Sequence, residues 1–416
     1  MKKIALMSLV ASSILMAGGY KIPENSTNAL ALGSANIAHN HNSADAAYYN
    51  PAKMVFMSNE NHIDANLMYI GLNKVNYNGT AKIHGNLVGV GPVASESETF
   101  VVPSLHYVSG DLNNGVRFGL SIVSPGGLSK RWRNSYATYT AQEFTLETIE
   151  VNPTIALPFA NGKGGVAIGL RLIHSSAIAR SASPAAMRDM SGDSIDGGYN
   201  IAIAYNPTPA WELGVTYRSQ VDLNLEGDAT LSYTDIAGSF GAAGTTYSSM
   251  SSGSVTLPLP ATLSLAAAYT FDTKTTVEFV YEKNYWSAYS ELDFDYGAGV
   301  NPVTNYVYGT PIAKNWKNTN TFRLGVTQEL DALTLMGGLV VDESPVPDAT
   351  IGFELPDTDS VAVSLGARYK IDKNTDIALA GLYSMHESRS VANSSLSGEI
   401  SGGDILMISL GLGYRF

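Results

Sequence analysis

Ile405-Leu406-Met407-Ile408-Ser409-Leu410-Gly411-Leu412-Gly413-Tyr414-Arg415-Phe416 alternates from end to end. The even positions read Leu, Ile, Leu, Leu, Tyr and Phe, while the odd positions are mostly small or polar. A period of two over about ten residues is the length and pattern of a strand that crosses an outer membrane, with one face on lipid and the other on a wet interior. Phe416, an aromatic residue following Tyr414-Arg415, reads as the membrane-insertion signal that outer-membrane barrels present to their insertion machinery.

The same alternation recurs upstream. Val166, Ile168, Leu170 and Leu172 oppose Ala167, Gly169 and Arg171. Trp211, Leu213, Val215 and Tyr217 oppose Glu212, Gly214, Thr216 and Arg218, and Val361, Val363, Leu365 and Tyr369 oppose Ala362, Ser364, Gly366 and Arg368. The arginines share the phase opposite to the apolar residues, which a lumen tolerates and lipid does not. Short connections rich in Asp, Asn, Gly or Pro fall at 109–114, 160–164, 206–210, 271–275, 329–332 and 371–375. Long polar stretches lie near 73–97, 125–142, 180–197, 227–254, 287–318, 343–359 and 386–403. Six tight turns and seven long loops imply a 14-stranded antiparallel transmembrane β-barrel, all-β in class, with short turns on the periplasmic side and long loops outside.

Met1-Lys2-Lys3 followed by an apolar run to Met16 and small residues at Ala17-Gly18-Gly19 reads as a secretory signal peptide over residues 1–17. No apolar run reaches the roughly 20 residues of a spanning helix. Residues 18–58 do not alternate; small, polar and Ala/Asn-rich, they suit short helical turns packed in a polar lumen, a hatch that a wide barrel accommodates, with a periplasmic tail as the alternative. The barrel then occupies 59–416. The chain has 40 Gly, 23 Tyr, 15% charged residues and no Cys, so thiolate metal sites and disulfides are excluded. A mean hydropathy of +0.02 is too apolar for a disordered chain. A net charge of −12 disfavours nucleic acid as a partner, because the phosphate backbone would be repelled.

These residues resemble the FadL family of outer-membrane long-chain fatty-acid and aromatic-hydrocarbon transporters. The resemblance rests on Gly19-Tyr20 and Asn50-Pro51-Ala52 bracketing the hatch, Tyr217-Arg218-Ser219, Trp316-Lys317 ahead of Phe322-Arg323-Leu324-Gly325, and above all Ser344-Pro345-Val346-Pro347 followed by Pro356-Asp357-Thr358-Asp359. It implies passive uptake of a hydrophobic molecule through the outer membrane of a Gram-negative cell, with Gly19, Tyr20, Asn50, Pro51 and Ala52 serving the hatch. It also implies a monomer, a ligand head group held by basic residues, for which Lys317 and Arg180 are the candidates, and sideways release at a kinked third strand. There Ser124-Pro125-Gly126-Gly127 supports a lateral opening independently, since Pro removes a ladder donor and paired glycines invite a bulge. The start of an outer loop is the plainer reading of those four residues. The loop near 180–197 is short for the family, which puts its outer capture groove in question.

Neither catalysis nor a cofactor is expected: no G-x-S-x-G elbow occurs, and no His stands in a recognisable triad setting. His39 and His41, two residues apart, lack a third metal ligand, so no metal is assigned. A general porin would have no plug and a charge-ringed lumen. An adhesin would place its function in the loops. The partners expected are a hydrophobic ligand, outer-membrane lipid and the insertion machinery.

Overall fold

A computed structural model describes residues 18–40, 42–83, 86–133 and 136–416; the leader read at 1–17 and His41 lie outside the described residues. The wall is a closed, antiparallel, 14-stranded barrel. Its strands are β1 (His62–Leu72), β2 (Glu98–Val108), β3 (Arg117–Val123, resuming as Gly127–Arg131), β4 (Glu143–Phe159), β5 (Gly164–Ala182), β6 (Ala186–Tyr205) and β7 (Trp211–Arg218, resuming as Val221–Asp235). The second half comprises β8 (Thr245–Leu259 with Thr262–Thr270), β9 (Thr275–Asn284), β10 (Thr319–Glu329), β11 (Leu333–Asp342), β12 (Ser360–Lys370), β13 (Thr375–His386) and β14 (Ile405–Arg415). The ring closes where β1 pairs with β14, from His62 opposite Arg415 to Leu72 opposite Ile405. Closure leaves no edge whose backbone groups would face lipid unpaired.

Alternation sorts the two faces as the pattern requires. On β14, Leu406, Ile408, Leu410 and Leu412 are 42–59% exposed, whereas Met407 and Ser409 are at most 1%. Arg171, Arg323 and Arg368 point inward against carboxylates, the first two buried and Arg368 half-buried. All six short turns stand between consecutive strands as read from their Asp, Asn, Gly and Pro content. Four of the long stretches are not simple loops: 73–97 and 386–403 supply a separate four-stranded sheet (Val75–Ile83, Asn86–Ala94, Arg389–Ala392 and Leu396–Gly402), and two others extend the wall. Segments 180–197 and 227–254 are for the most part strand: β5 and β6 continue outward to a tight turn at 183–185, and β7 and β8 to one at 236–244. Their Gly/Ser-rich sequences looked like loop, but Ala229 opposite Ser251 and Arg180 opposite Asp189 are ladder pairs standing beyond the apolar belt, where water relieves the strand of its alternation.

Residues 18–57 lie inside the barrel. Ser26 caps the helix Thr27–Ala31 by accepting from the Ala29 N–H at 3.0 Å, a second short helix covers Ala46–Tyr49, and Asn50 caps a 3-10 turn, Pro51–Phe56. Helices this short are marginal alone, so the wall must hold them. The Glu278 carboxylate of β9 accepts from the Ile37 and Ala38 N–H groups at 2.7 Å each, and Asp64 of β1 accepts from Ser43 Oγ at 2.6 Å and the Ala44 N–H at 2.7 Å. Small residues permit that intimacy: a Cβ at Gly165 of β5 would sit 2.2 Å from the Ala52 carbonyl oxygen.

Candidate ligand cavity and lateral gap

The tip of the hatch meets the outer loops in an aromatic cluster. The Tyr20 ring packs edge-on against Trp286 at 4.8 Å and lies 5.7 Å from Trp316, which is 4.8 Å from Tyr289. Tyr20 Oη donates to the Pro258 carbonyl at 2.6 Å, giving the buried phenol its partner. Gly19 stands under this cluster at φ +82°, and a Cβ there would lie 2.7 Å from Trp286 and 2.9 Å from Trp316. The Gly-aromatic pair is thereby accounted for: the glycine lets the indoles approach the backbone, and the tyrosine closes the floor.

Above that floor is a cavity of about 50 Å³, lined by Tyr20, Leu128, Phe144, Leu146, Val255, Leu257, Leu292, Phe294, Val346 and Leu355 among others. Its polar wall is Lys314, ion-paired with Glu354. Just behind two of its rings lies Arg188 of β6, whose guanidinium carbon is 4.2 Å from the Phe294 ring centre and 5.7 Å from that of Phe144. Arg188 is 6% exposed, has no ion pair among the described residues, and its Nε has no hydrogen-bond partner. An apolar chamber with a desolvated cation at its edge suits a molecule with a long hydrocarbon body and one acidic end.

The basic residues singled out from the sequence sit elsewhere. Lys317 is exposed, and its main-chain N–H donates to the Pro345 carbonyl at 2.9 Å. Side chains alternate along this extended segment: Lys314 and Trp316 turn inward, whereas Asn315 and Lys317 turn out. Arg180 is held by two carboxylates, Nη1 on Glu143 and Nε on Asp189, each at 2.8 Å, so its charge is already matched. Arg188 escaped notice because its segment read as loop; its inward phase, shared with Met190, becomes legible only once β6 is seen to extend outward.

The hatch residues are all buried. Asn50 Nδ2 donates to the Ile37 carbonyl at 2.8 Å and its Oδ1 accepts from the Ala52 N–H at 3.1 Å, so one side chain ties two hatch turns together, with Pro51 opening the second. Glu24 faces Arg323 at 3.8 Å, and Arg323 also faces Glu282, which Lys21 Nζ reaches at 2.5 Å. Burial pushes the Glu24 carboxyl up to about 7 against the pull of Arg323.

The third strand breaks at the motif. Val123 pairs with Glu150 and Gly127 with Glu147 of β4, so Ser124-Pro125-Gly126 oppose only two residues, a bulge of one. On the other side, β2 pairs with β3 only from Val108 to Leu105, leaving residues 99–104 without a β3 partner until Glu96 N–H donates to the Arg131 carbonyl at 2.9 Å. Exposed Val101, Leu105 and Ile122 place this gap against lipid. The hatch fills it from inside: Ile22 N–H donates to the Pro125 carbonyl at 3.0 Å, Gly127 N–H to the Tyr20 carbonyl at 2.7 Å, and Asn25 Oδ1 accepts from the Ser124 N–H at 3.1 Å.

Residues 8–416 match the family model described as outer membrane protein transport protein (OMPP1/FadL/TodX). A long-chain fatty acid transport protein of Escherichia coli O6:H1 is 25% identical over 337 residues, 73% of each chain. Outer membrane protein P1 of Haemophilus influenzae is 23% identical over 92% of this chain and 90% of its own. Among solved structures, a FadL homologue of Pseudomonas aeruginosa superposes with a TM-score of 0.81 at 20% identity, covering 95% of this chain and 99% of that one. The Pseudomonas putida toluene transporter TodX does so with 0.73 at 17% identity, covering 94% and 98%. At these identities the structural likeness speaks to the fold.

Proposed function

The chain belongs to the OMPP1/FadL/TodX family of outer-membrane transport proteins, and from that premise we propose that it takes up long-chain fatty acids passively and releases them sideways through the gap in β3. The observation that carries this reading is the apolar cavity above the hatch with Arg188, which has no ion pair among the described residues, beside it. The hydrocarbon body leaves water for the cavity, which favours capture by roughly 25 cal/mol per Å² of apolar surface buried. The carboxylate turns toward Arg188, where a charge-assisted bond relieves a desolvated cation. Because Tyr20 is both the cavity floor and a partner of the β3 break, a ligand that displaces it withdraws the Gly127 N–H partner from the gap at the same moment. The ligand then leaves into lipid rather than water, so its apolar surface need not be rehydrated. The lumen below is occupied by the hatch, which argues against a general porin.

Uptake of labelled oleate and labelled toluene by cells with intact outer membranes, with and without the protein, tests the reading. Protein-dependent oleate uptake should fall about tenfold in Arg188→Met, equivalent to about 1.4 kcal/mol of lost binding. Protein-dependent toluene uptake without oleate uptake would replace the fatty acid by an aromatic hydrocarbon on the same route, a reading that the predominantly apolar cavity lining independently favours.

A further inference from the structure

Behind the outer end of the β3 gap lies a second, smaller cavity of about 20 Å³, lined by Leu72, Asn73, Lys130, Asp357, Thr358 and His386 among others. It shares a partition with the ligand cavity. Leu128 and Leu355 face the large chamber, and Lys130 and Asp357, each two residues further along, face the small one. Period two keeps Leu128 and Lys130 on the lumen side of the resumed β3, the bulge having exchanged the inward phase from odd positions to even ones. Leu72 is paired with Glu98, the first residue of β2, so the small cavity stands directly inside the upper limit of the gap.

Lys130 is 2% exposed and has neither an ion pair nor a hydrogen bond among the described residues. An ammonium withdrawn from water without a partner is costly, and lysines are rarely left so. The other polar groups of the cavity do not serve it. Asp357 accepts from Ser344 Oγ at 2.7 Å, and burial pushes its carboxyl up to about 8, so it is largely uncharged at neutral pH. His386 donates its main-chain N–H to Asp404 at 3.0 Å, while its buried Nδ1 has no partner. The cavity therefore holds one unmatched amine and one unmatched imidazole nitrogen, the complement of a carboxyl group that accepts from both.

We propose that Lys130 and His386 form a second head-group site, for the carboxylate of an amphiphile, at the mouth of the lateral gap. It is separate from the large cavity and from Arg188, and it rests on the fatty-acid reading given above. A carboxylate there sits on the far side of the Leu128–Leu355 partition, with its chain directed at the gap between β2 and β3. The acid thus keeps a positive partner while its body turns from the cavity to the membrane.

The experiment is equilibrium binding of tritiated oleate and of tritiated oleyl alcohol to the full-length mature protein in nanodiscs, corrected against empty discs. The wild type, Lys130→Met, Lys130→Arg and Arg188→Met are compared. Two oleate sites are expected in the wild type. One should be weakened at least about tenfold in Lys130→Met and preserved in Lys130→Arg, with oleyl alcohol binding unchanged in both. Removing a lone buried charge should also leave the thermal midpoint of Lys130→Met at or above that of the wild type, which separates loss of the site from loss of the fold. Oleate binding by Lys130→Met with wild-type stoichiometry and affinity overturns the second site and leaves the fatty-acid reading standing. Absence of oleate binding by the wild type overturns both.

Discussion

Two breaks in the barrel wall, at β3 and at β7, are closed by different means. At β7 the ladder to β6 runs from Tyr205 to Asn200 against Leu213 to Arg218 and resumes at Asp193 opposite Glu226. The interval is bridged by the strands' own groups: Ser219 N–H donates to the Tyr199 carbonyl at 2.9 Å, Tyr199 N–H to Ser219 Oγ at 3.0 Å, and the Asp196 carboxylate accepts from the Asn224 N–H at 3.0 Å. Asp222 and Asn224 face outward and exposed, so this break stands in polar surroundings. At β3 the surroundings are apolar, and part of the closure comes from Tyr20, Ile22 and Asn25 of the hatch. A break whose partners are its own side chains is a structural bend; one whose partners belong to a separate, displaceable segment can open when that segment moves.

Restoring each ladder in turn should give the largest contrast. Deleting Pro125 leaves two residues opposite two between the Val123–Glu150 and Gly127–Glu147 pairs, and is expected to lower oleate uptake by at least about tenfold, about 1.4 kcal/mol in the effective barrier. Deleting Gln220 evens the count against β6, at the expense of the two-against-two count against β8, and should leave uptake within about twofold, well under 1 kcal/mol. Loss of uptake in the Gln220 deletion, measured in the same cells, would erase the distinction.

A smaller effect is expected from Gly126→Val. The new Cβ would lie 2.9 Å from the Tyr20 carbonyl oxygen and 2.8 Å from Leu259 Cδ1, so the hatch segment must yield at a cost of about 1–3 kcal/mol. Hydrogen exchange should accelerate at the Ile22 and Gly127 amides while amides across the β7 break keep their protection. Equal acceleration at both breaks would mean that the wall, and not the hatch, had loosened.

The smallest effect concerns pH. Glu24, raised to about 7, binds a proton more tightly in the docked hatch than in the released one, so docking should weaken as pH rises from about 4.5 through 7. The β3 break should share that trend through the hatch, and Glu24→Gln should flatten it. Exchange at Ile22 that is independent of pH, after correction for intrinsic rates, would remove Glu24 from the account.

Much of this architecture was legible in the residues, and the misreadings have a common cause. Leu406 to Phe416 alternates because one face of β14 meets lipid, and the same demand marks β5, β7 and β12. Where β5 to β8 rise beyond the membrane the demand lapses, which is why 180–197 and 227–254 read as loops and why Arg188 was passed over for Arg180. Lys317 was chosen by likeness of position, but one odd step along an extended chain turned it away from the cavity that Lys314 enters.

The sequence by itself determined the barrel, its strand number and its six turns, because each follows from a local rule about lipid, backbone donors or turn residues, whereas it left the kink open against a loop start and the hatch open against a periplasmic tail. Which cation is left unmatched was decided only by the closed ring. Arg180 meets Glu143 and Asp189, Lys314 meets Glu354, and Tyr20 meets the break at Gly126 more than a hundred residues away, whereas Arg188 and Lys130 meet no carboxylate among the described residues. Charge matching in a desolvated lumen depends on neighbours that sequence separation does not reveal.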